Sequence, residues 1–321
     1  MHLETPLLKS HEISLLNSNN GFERNIYLKL DNCQPSGSFK IRGIGHLIKE
    51  NLLNNNIETV ISSSGGNAGL AAACTAQKLG IKSVIITPTT VFPSVVDKLK
   101  SYGAEVIIHG DIWDEADKQA RDLCNKNKSA LYVPPFDNEL IWKGNSSIIE
   151  EIKCQMNDEI PDCVIASVGG GGLILGLIEG AIRNGWFERD VKIIAVETVG
   201  ADCFYQSVRA GKIVSLDSIT SIAKSLGART CATKLFEYYQ KYQDNIYSFT
   251  VSDKEVVETM EKFLNDHRFL VEPSCGASLA VAYNMDKYLG KGKYKNVVVE
   301  VCGGSAITLE NLLNYKKIFL I

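Results

Sequence analysis

The passage from Asp162 to Ile182 narrows the fold more than any other. Asp162-Cys163-Val164-Ile165-Ala166-Ser167-Val168 is a short, largely apolar run, four consecutive glycines (Gly169 to Gly172) follow it, and Leu173 opens a second apolar stretch. A short apolar run bounded by turn residues reads as a strand buried on both faces. Such strands belong to parallel sheets covered by helices. Four adjacent glycines cost much backbone entropy if they serve only to turn the chain. Set between a buried strand and a helix, they expose backbone N–H groups suited to gripping a phosphate.

The rest of the chain repeats this alternation. Ile26–Leu30 reads as a strand, and Ile41, Ile44, Ile48 and Leu52 mark one face of a helix. Glu58–Ile61 is a strand that runs into Ser62-Ser63-Ser64-Gly65-Gly66-Asn67-Ala68-Gly69 and an Ala-rich helix ending near Leu79. Strands at Ser83–Pro88, Ala104–His109 and Ala130–Val133 alternate with helices at Pro93–Tyr102 and Asp111–Lys126. Leu140–Met156 reads as one amphipathic helix, and Lys192–Val196 as a strand ending at Glu197. Asp253–Asn265 is a helix capped by Ser252, and Asn296–Val301 is a strand that delivers Cys302-Gly303-Gly304-Ser305. The Asn-rich patches Asn17–Asn20 and Asn51–Asn56 read as loops. The fold class is therefore α/β, with mostly parallel sheets flanked by helices.

Composition excludes several function classes. Against 37 acidic residues stand 34 basic ones, a formal charge of −3 that gives no electrostatic case for nucleic acid or an anionic membrane. The nine cysteines are odd in number and form no Cys-x-x-Cys pair, which points away from a disulfide framework or zinc site and toward a reducing, cytoplasmic compartment. No apolar run reaches the roughly 18–20 residues that span a bilayer, and the N-terminus lacks a signal-peptide pattern.

Lys40 stands where Pro35-Ser36-Gly37-Ser38-Phe39 gives way to a helix. A helix N-terminus favours anions, so a lysine there runs against the dipole. It is either a solvated surface lysine or an amine whose charge is meant to be lost, as in Schiff-base catalysis. The sheet-end rule places ligands outside the carboxyl ends of parallel strands, where the Asn67, Gly169–Gly172, Glu197 and Cys302 segments fall.

Ser36-Gly37-Ser38-Phe39-Lys40-Ile41-Arg42-Gly43 closely resembles the lysine motif of the fold type II pyridoxal-phosphate enzymes, in particular the serine/threonine dehydratases. The likeness runs from Thr5-Pro6-Leu7 to Cys302-Gly303-Gly304-Ser305. It implies a tryptophan synthase β-like fold, with a small domain (38–135) inserted in a large cofactor-binding domain (1–37 and 136–321). It further implies that Lys40 carries the cofactor as an imine, with Phe39 on one ring face and Ser225 on the other. Gly169, Gly170, Gly171 and Gly172 would hold the phosphate, Asn67 the ring hydroxyl and Ser64 the substrate carboxylate. Cys302 would face the pyridine nitrogen. A thiol there is a weak donor, which leaves the ring a weaker electron sink than a carboxylate would and favours β-elimination over transamination.

The activity so implied is β-elimination of L-serine to pyruvate and ammonia, with L-threonine giving 2-oxobutanoate. Lys40 would be the base. A potassium ion is implied at the carbonyls of Gly169, Ala201, Leu226 and Ala228 and the side chain of Glu197. Cys203 stands where a serine hydroxyl is expected, and a thiol is a poor ligand for a hard cation. Gly65 takes a position where alanine is expected, leaving extra room beside the substrate. A homodimer is implied. A threonine deaminase, another fold type II lyase and a non-catalytic amino-acid sensor are the nearest alternatives, although the chain ends soon after Cys302, where a regulatory domain would follow. A nicotinamide-dependent oxidoreductase lies outside the class, and the glycine run does not fit Gly-x-Gly-x-x-Gly.

Overall fold

The computed structural model describes residues 1–18 and 21–321. The chain opens with β1 (Leu7–Ser10), α1 (His11–Asn17) and β2 (Asn25–Lys29). Regular alternation follows through α2 (Lys40–Asn54), β3 (Thr59–Ser62), α3 (Asn67–Leu79), β4 (Lys82–Thr87), α4 (Pro93–Ser101), β5 (Glu105–Ile108), α5 (Trp113–Asn125) and β6 (Ala130–Tyr132). Next come α6 (Glu139–Asn145), α7 (Ser147–Gln155), β7 (Cys163–Ser167), α8 (Gly172–Arg183), β8 (Lys192–Thr198), α9 (Cys203–Ala210), α10 (Thr233–Lys241) and β9 (Ile246–Val251). The chain closes with α11 (Asp253–His267), α12 (Pro273–Tyr283), α13 (Met285–Leu289), β10 (Asn296–Glu300) and α14 (Leu309–Phe319).

Two compact units result. The first comprises residues 1–3 and 33–145 and is built on a four-stranded parallel sheet in the order β5-β4-β3-β6. Ile61, Val84 and Ile86 from this sheet are covered by Ala116 and Ala120 of α5. Small side chains on the helix let it lie close against the branched residues of the strands. The second unit comprises residues 4–32 and 146–321 and holds a six-stranded sheet in the order β1-β2-β10-β7-β8-β9. Only the β1–β2 pair is antiparallel. Every residue of β7, β8 and α12 is buried, the pattern of central strands covered on both faces.

The units divide at 32/33 and 145/146, whereas the boundaries expected from sequence fell at 37/38 and 135/136. The second shift has a packing cause. Helix α6 seats on α2, where a Cβ at Gly43 would lie 2.6 Å from Ile141 Cγ2 and one at Gly144 would lie 2.7 Å from the Gly43 Cα.

Other expectations are corrected. Leu140–Met156 is two helices, broken at Ser146, whose hydroxyl accepts a hydrogen bond from Arg183 Nη2 (2.8 Å). Glu197 lies within β8, because pairing with β9 continues to Thr198↔Val251. Asn51 and Asn54 belong to α2, where their side-chain amides bond back to the carbonyls of Leu47 and Glu50. Asn17 ends α1, and Asn19 and Asn20 lie outside the described residues.

Candidate active site

In the four-stranded unit, Lys40 is the first residue of α2, preceded by Phe39 in a helical conformation with no side-chain cap. Its Nζ donates to the carbonyl of Pro135 (2.7 Å) and stands 5.3 Å from the centroid of the Phe39 ring. That acceptor lies just past β6. The same tail takes the Ser62 hydroxyl on Val133 O (3.2 Å), and the Val133 N–H donates to Ile61 O (2.8 Å).

The loop from Ser63 to Gly66 leads into α3, which Asn67, itself buried, begins. Ser64 Oγ accepts from the Gly66 N–H (3.2 Å). The Ser64 carbonyl oxygen lies only 1.8 Å from where a Cβ of residue 69 would stand, so this close approach requires glycine. The extra room expected at Gly65 is taken: a Cβ there would meet Val91 Cγ2 at 2.7 Å and Thr87 Cβ at 3.2 Å.

Behind the loop, the Ser63 hydroxyl donates to Asp117 Oδ1 (2.6 Å). The same carboxylate receives the Tyr132 hydroxyl and, on Oδ2, the Arg121 Nε (2.8 Å). Burial pushes the Asp117 carboxyl up, but the hydrogen bonds from Ser63, Tyr132 and Arg121 outweigh it and hold the group below its ordinary range. Burial, with the Asp117 bond, pushes the Tyr132 phenol up to about 12, so it remains a donor.

In the six-stranded unit, the glycine run joins β7 to α8. Gly171 caps α8 with a left-handed φ of 103°, and a Cβ there would meet Leu235 Cδ2 at 2.8 Å. A Cβ at Gly169 would lie 3.1 Å from both Leu226 Cα and Ser225 O. Gly170 O accepts from the Ala232 N–H (2.9 Å). The turn thus packs against the Ser225–Leu226 backbone and the Leu235 side chain and bears no side chains of its own, and it lies at a helix N-terminus, where N–H groups and dipole favour an anion.

Residues expected to hold a cation gather beside this turn. The Cys203 thiol donates to Gly169 O (3.8 Å), and Leu226 O accepts from the Ala228 N–H (2.8 Å). Ala201 bridges back to Thr198. Glu197 is fully buried and accepts from the N–H groups of Phe204 (2.9 Å) and Tyr205 (2.6 Å) at the start of α9. Burial outweighs those two bonds and raises its carboxyl well above the usual range. Cys203 also shares a hydrogen bond with Cys231, which, with burial, raises the Cys203 thiol. Past the end of β10, Cys302 is buried. A hydrogen bond with Cys275, together with burial, raises its thiol far above the ordinary range and keeps it neutral.

The model of the pyridoxal-phosphate-dependent enzyme family matches residues 2–303. The chain belongs to the pyridoxal-phosphate-dependent enzymes. It is 46% identical to an L-serine dehydratase/L-threonine deaminase from Bos taurus, over 99% of this chain and 95% of that protein. A serine dehydratase-like protein from Homo sapiens is 43% identical over 97% of this chain and 93% of its own length. A fungal L-serine ammonia-lyase from Rhizomucor miehei superposes with a TM-score of 0.90 at 35% identity, covering 99% of each chain. The architecture is therefore that of the fold type II pyridoxal-phosphate enzymes.

For an enzyme of this family, the residues present fit the cofactor. The turn at Gly169–Gly172 is glycine throughout, so it carries no side chain of its own to obstruct an anion at the start of α8. Taken unit by unit, the four-stranded unit offers the amine of Lys40, and the six-stranded unit offers the neutral thiol of Cys302. Asp117, Tyr132, Pro135, Val91, Cys231 and Cys275 were not singled out from the sequence. Pro135, beside Pro134, marks only the end of the Ala130–Val133 strand. The others sit at ordinary helix, strand or loop positions with no motif to mark them.

Proposed function

We propose that this chain converts L-serine to pyruvate and ammonia, and L-threonine to 2-oxobutanoate, by pyridoxal-phosphate-dependent β-elimination. Two findings join in support: relatives named as serine dehydratases, and the neutral thiol of Cys302, which supplies no charge to hold a proton on a ring nitrogen. The second carries the choice of elimination over transamination. Bound through Lys40, pyridoxal phosphate supplies an electron sink for the pair left when a Cα proton departs. Lys40 is the base that removes this proton. Ser64 and its loop receive the substrate carboxylate, Asn67 and Phe39 hold the ring, and Gly169–Gly172 hold the phosphate through their N–H groups. Incubation with L-serine and assay of pyruvate tests the reading; no pyruvate from protein carrying the cofactor would refute it.

The same reading includes a monovalent cation, potassium, at Glu197 and the carbonyls of Gly169, Ala201, Leu226 and Ala228. Glu197 is fully buried, and among the described residues no lysine, arginine or histidine pairs with it. Two backbone N–H groups do not fully offset the burial of a carboxylate charge, and a bound cation would relieve that cost. Cys203 is left out of the ligand set, since its thiol is soft and is engaged with Gly169 O and Cys231. A cytoplasmic homodimer serving amino-acid degradation, with pyruvate available to gluconeogenesis, completes the proposal. The nine free cysteines suit a reducing compartment, and among the described residues no helix is long and apolar enough to cross a membrane.

A further inference from the structure

The loop proposed to receive the substrate carboxylate is held from within and from behind. Within it, Ser64 Oγ meets the Gly66 N–H, and the Ser64 carbonyl rests on Gly69. Behind it, Ser63 is almost fully buried and turns its hydroxyl onto Asp117. Asp117 comes from α5, some fifty residues on, and the Tyr132 phenol from β6 bonds the same carboxylate. Arg121 closes the cluster: Nε reaches Asp117 Oδ2, Nη2 donates to the Tyr132 hydroxyl (3.2 Å), and the guanidinium lies 4.1 Å from the Tyr132 ring centroid. Three donors from three elements therefore fix one carboxylate oxygen pair. A charged acceptor held this way makes shorter and stronger bonds than a neutral one.

We infer that Asp117, clasped by Tyr132 and Arg121, is a positioning residue that sets the Ser63–Asn67 loop in its substrate-receiving form. The inference rests on the proposed function for the identity of the substrate, but not for the existence of the clasp. The partners of Asp117 are Ser63, Tyr132 and Arg121, and it acts on the loop through Ser63. Its loss would release the loop from α5 and β6 while leaving Lys40 and the glycine turn in place. The cost would fall on holding a carboxylate and not on the chemical step.

The test uses the full-length holoenzyme carrying Ser63→Ala, Asp117→Asn or both, with Ser63→Thr as the conservative control. Ser63→Ala and Asp117→Asn should each raise KM for L-serine about ten-fold, the loss expected for one hydrogen bond to a charged group. The dissociation constant of glycine, which has the carboxylate but no leaving group, should rise equally, with kcat changed less than about two-fold. The double variant should be no worse than the worse single one, because both act on the loop through the same Ser63–Asp117 contact. Ser63→Thr should restore KM. Unchanged KM and glycine affinity in folded Ser63→Ala would overturn the inference, as would fully additive effects. If Asp117→Asn fails to fold, Ser63→Ala and Ser63→Thr decide alone. Amide exchange over residues 64–67 reads the loop with no ligand present and should quicken in Ser63→Ala. That readout keeps the clasp testable even if L-serine yields no pyruvate, an outcome that would count against the proposed function alone.

Discussion

The amine of Lys40 donates to the carbonyl oxygen of Pro135 at 2.7 Å, so the residue that opens α2 is steadied by the tail of β6. An amine resting on a neutral carbonyl remains a nucleophile once deprotonated. Lys40→Ala should abolish the absorbance of lysine-bound pyridoxal phosphate at about 410 nm. It should also lower pyruvate formation by a factor of at least about 10³. Spectra and a pyruvate assay on the same preparation check both, and survival of either would remove the central assignment.

Gly65→Ala should lower stability, because the added methyl would lie 2.7 Å from Val91 Cγ2. Valine is stiff at χ1 and cannot simply turn aside. The expected loss is about 1–3 kcal/mol. Val91→Ala in the same chain should recover most of it. Denaturant melts of both single variants and the double variant would show this as a non-additive pair.

Lithium in place of potassium should slow turnover, and Glu197→Gln should remove the difference between the two ions. Cys203→Ser offers a hard hydroxyl where a thiol now donates to Gly169 O. It should tighten potassium binding by about ten-fold, measured by titrating the ion against protein fluorescence as well as against activity. Indifference to the ion in every variant would discard the cation site.

Acid stability should depend on Glu255. Burial raises its carboxyl, but Lys287, Ser252 and Tyr288 more than offset this and bring it from 4.5 down to about 2. The folded form thus holds the proton more weakly than the unfolded chain. Its contribution is fully present above the unfolded value of 4.5 and is lost as pH falls from there through about 2. Glu255→Gln should therefore weaken the protein at pH 6 and make little difference at pH 2, as denaturant midpoints at the two pH values would show. The same residue closes a capping box with Ser252 at the start of α11, so part of the loss at pH 6 is the cap.

Sequence reasoning located the central elements because their signals are local. The β7–glycine–α8 passage combines a short apolar strand with residues that exclude side chains, and both properties are written in adjacent positions. Lys40 was found for the same reason, from the turn before it and the helical spacing after it. The Asp117–Ser63 bond spans 54 residues and joins a helix face to a loop, and no periodicity records such a pair. Strand β9 escaped because Ile246-Tyr247-Ser248-Phe249-Thr250-Val251 mixes polar and apolar residues at an edge position, where only one flank is paired. Helix α14 leaves Leu309, Leu313 and Ile318 exposed, so its apolar residues do not report a core.

The prolines after β6 give the acceptor of Lys40 an unusual rigidity. Neither Pro134 nor Pro135 has an amide hydrogen, and each fixes its own φ, so the strand cannot be extended there and the backbone has little freedom to swing. The Lys40 amine is therefore referenced to a connecting segment that two fixed φ angles stiffen. Replacing either proline by alanine would keep every side-chain contact described for the lysine yet soften its support. Such variants would separate how sharply the amine is aimed from how strongly it is held.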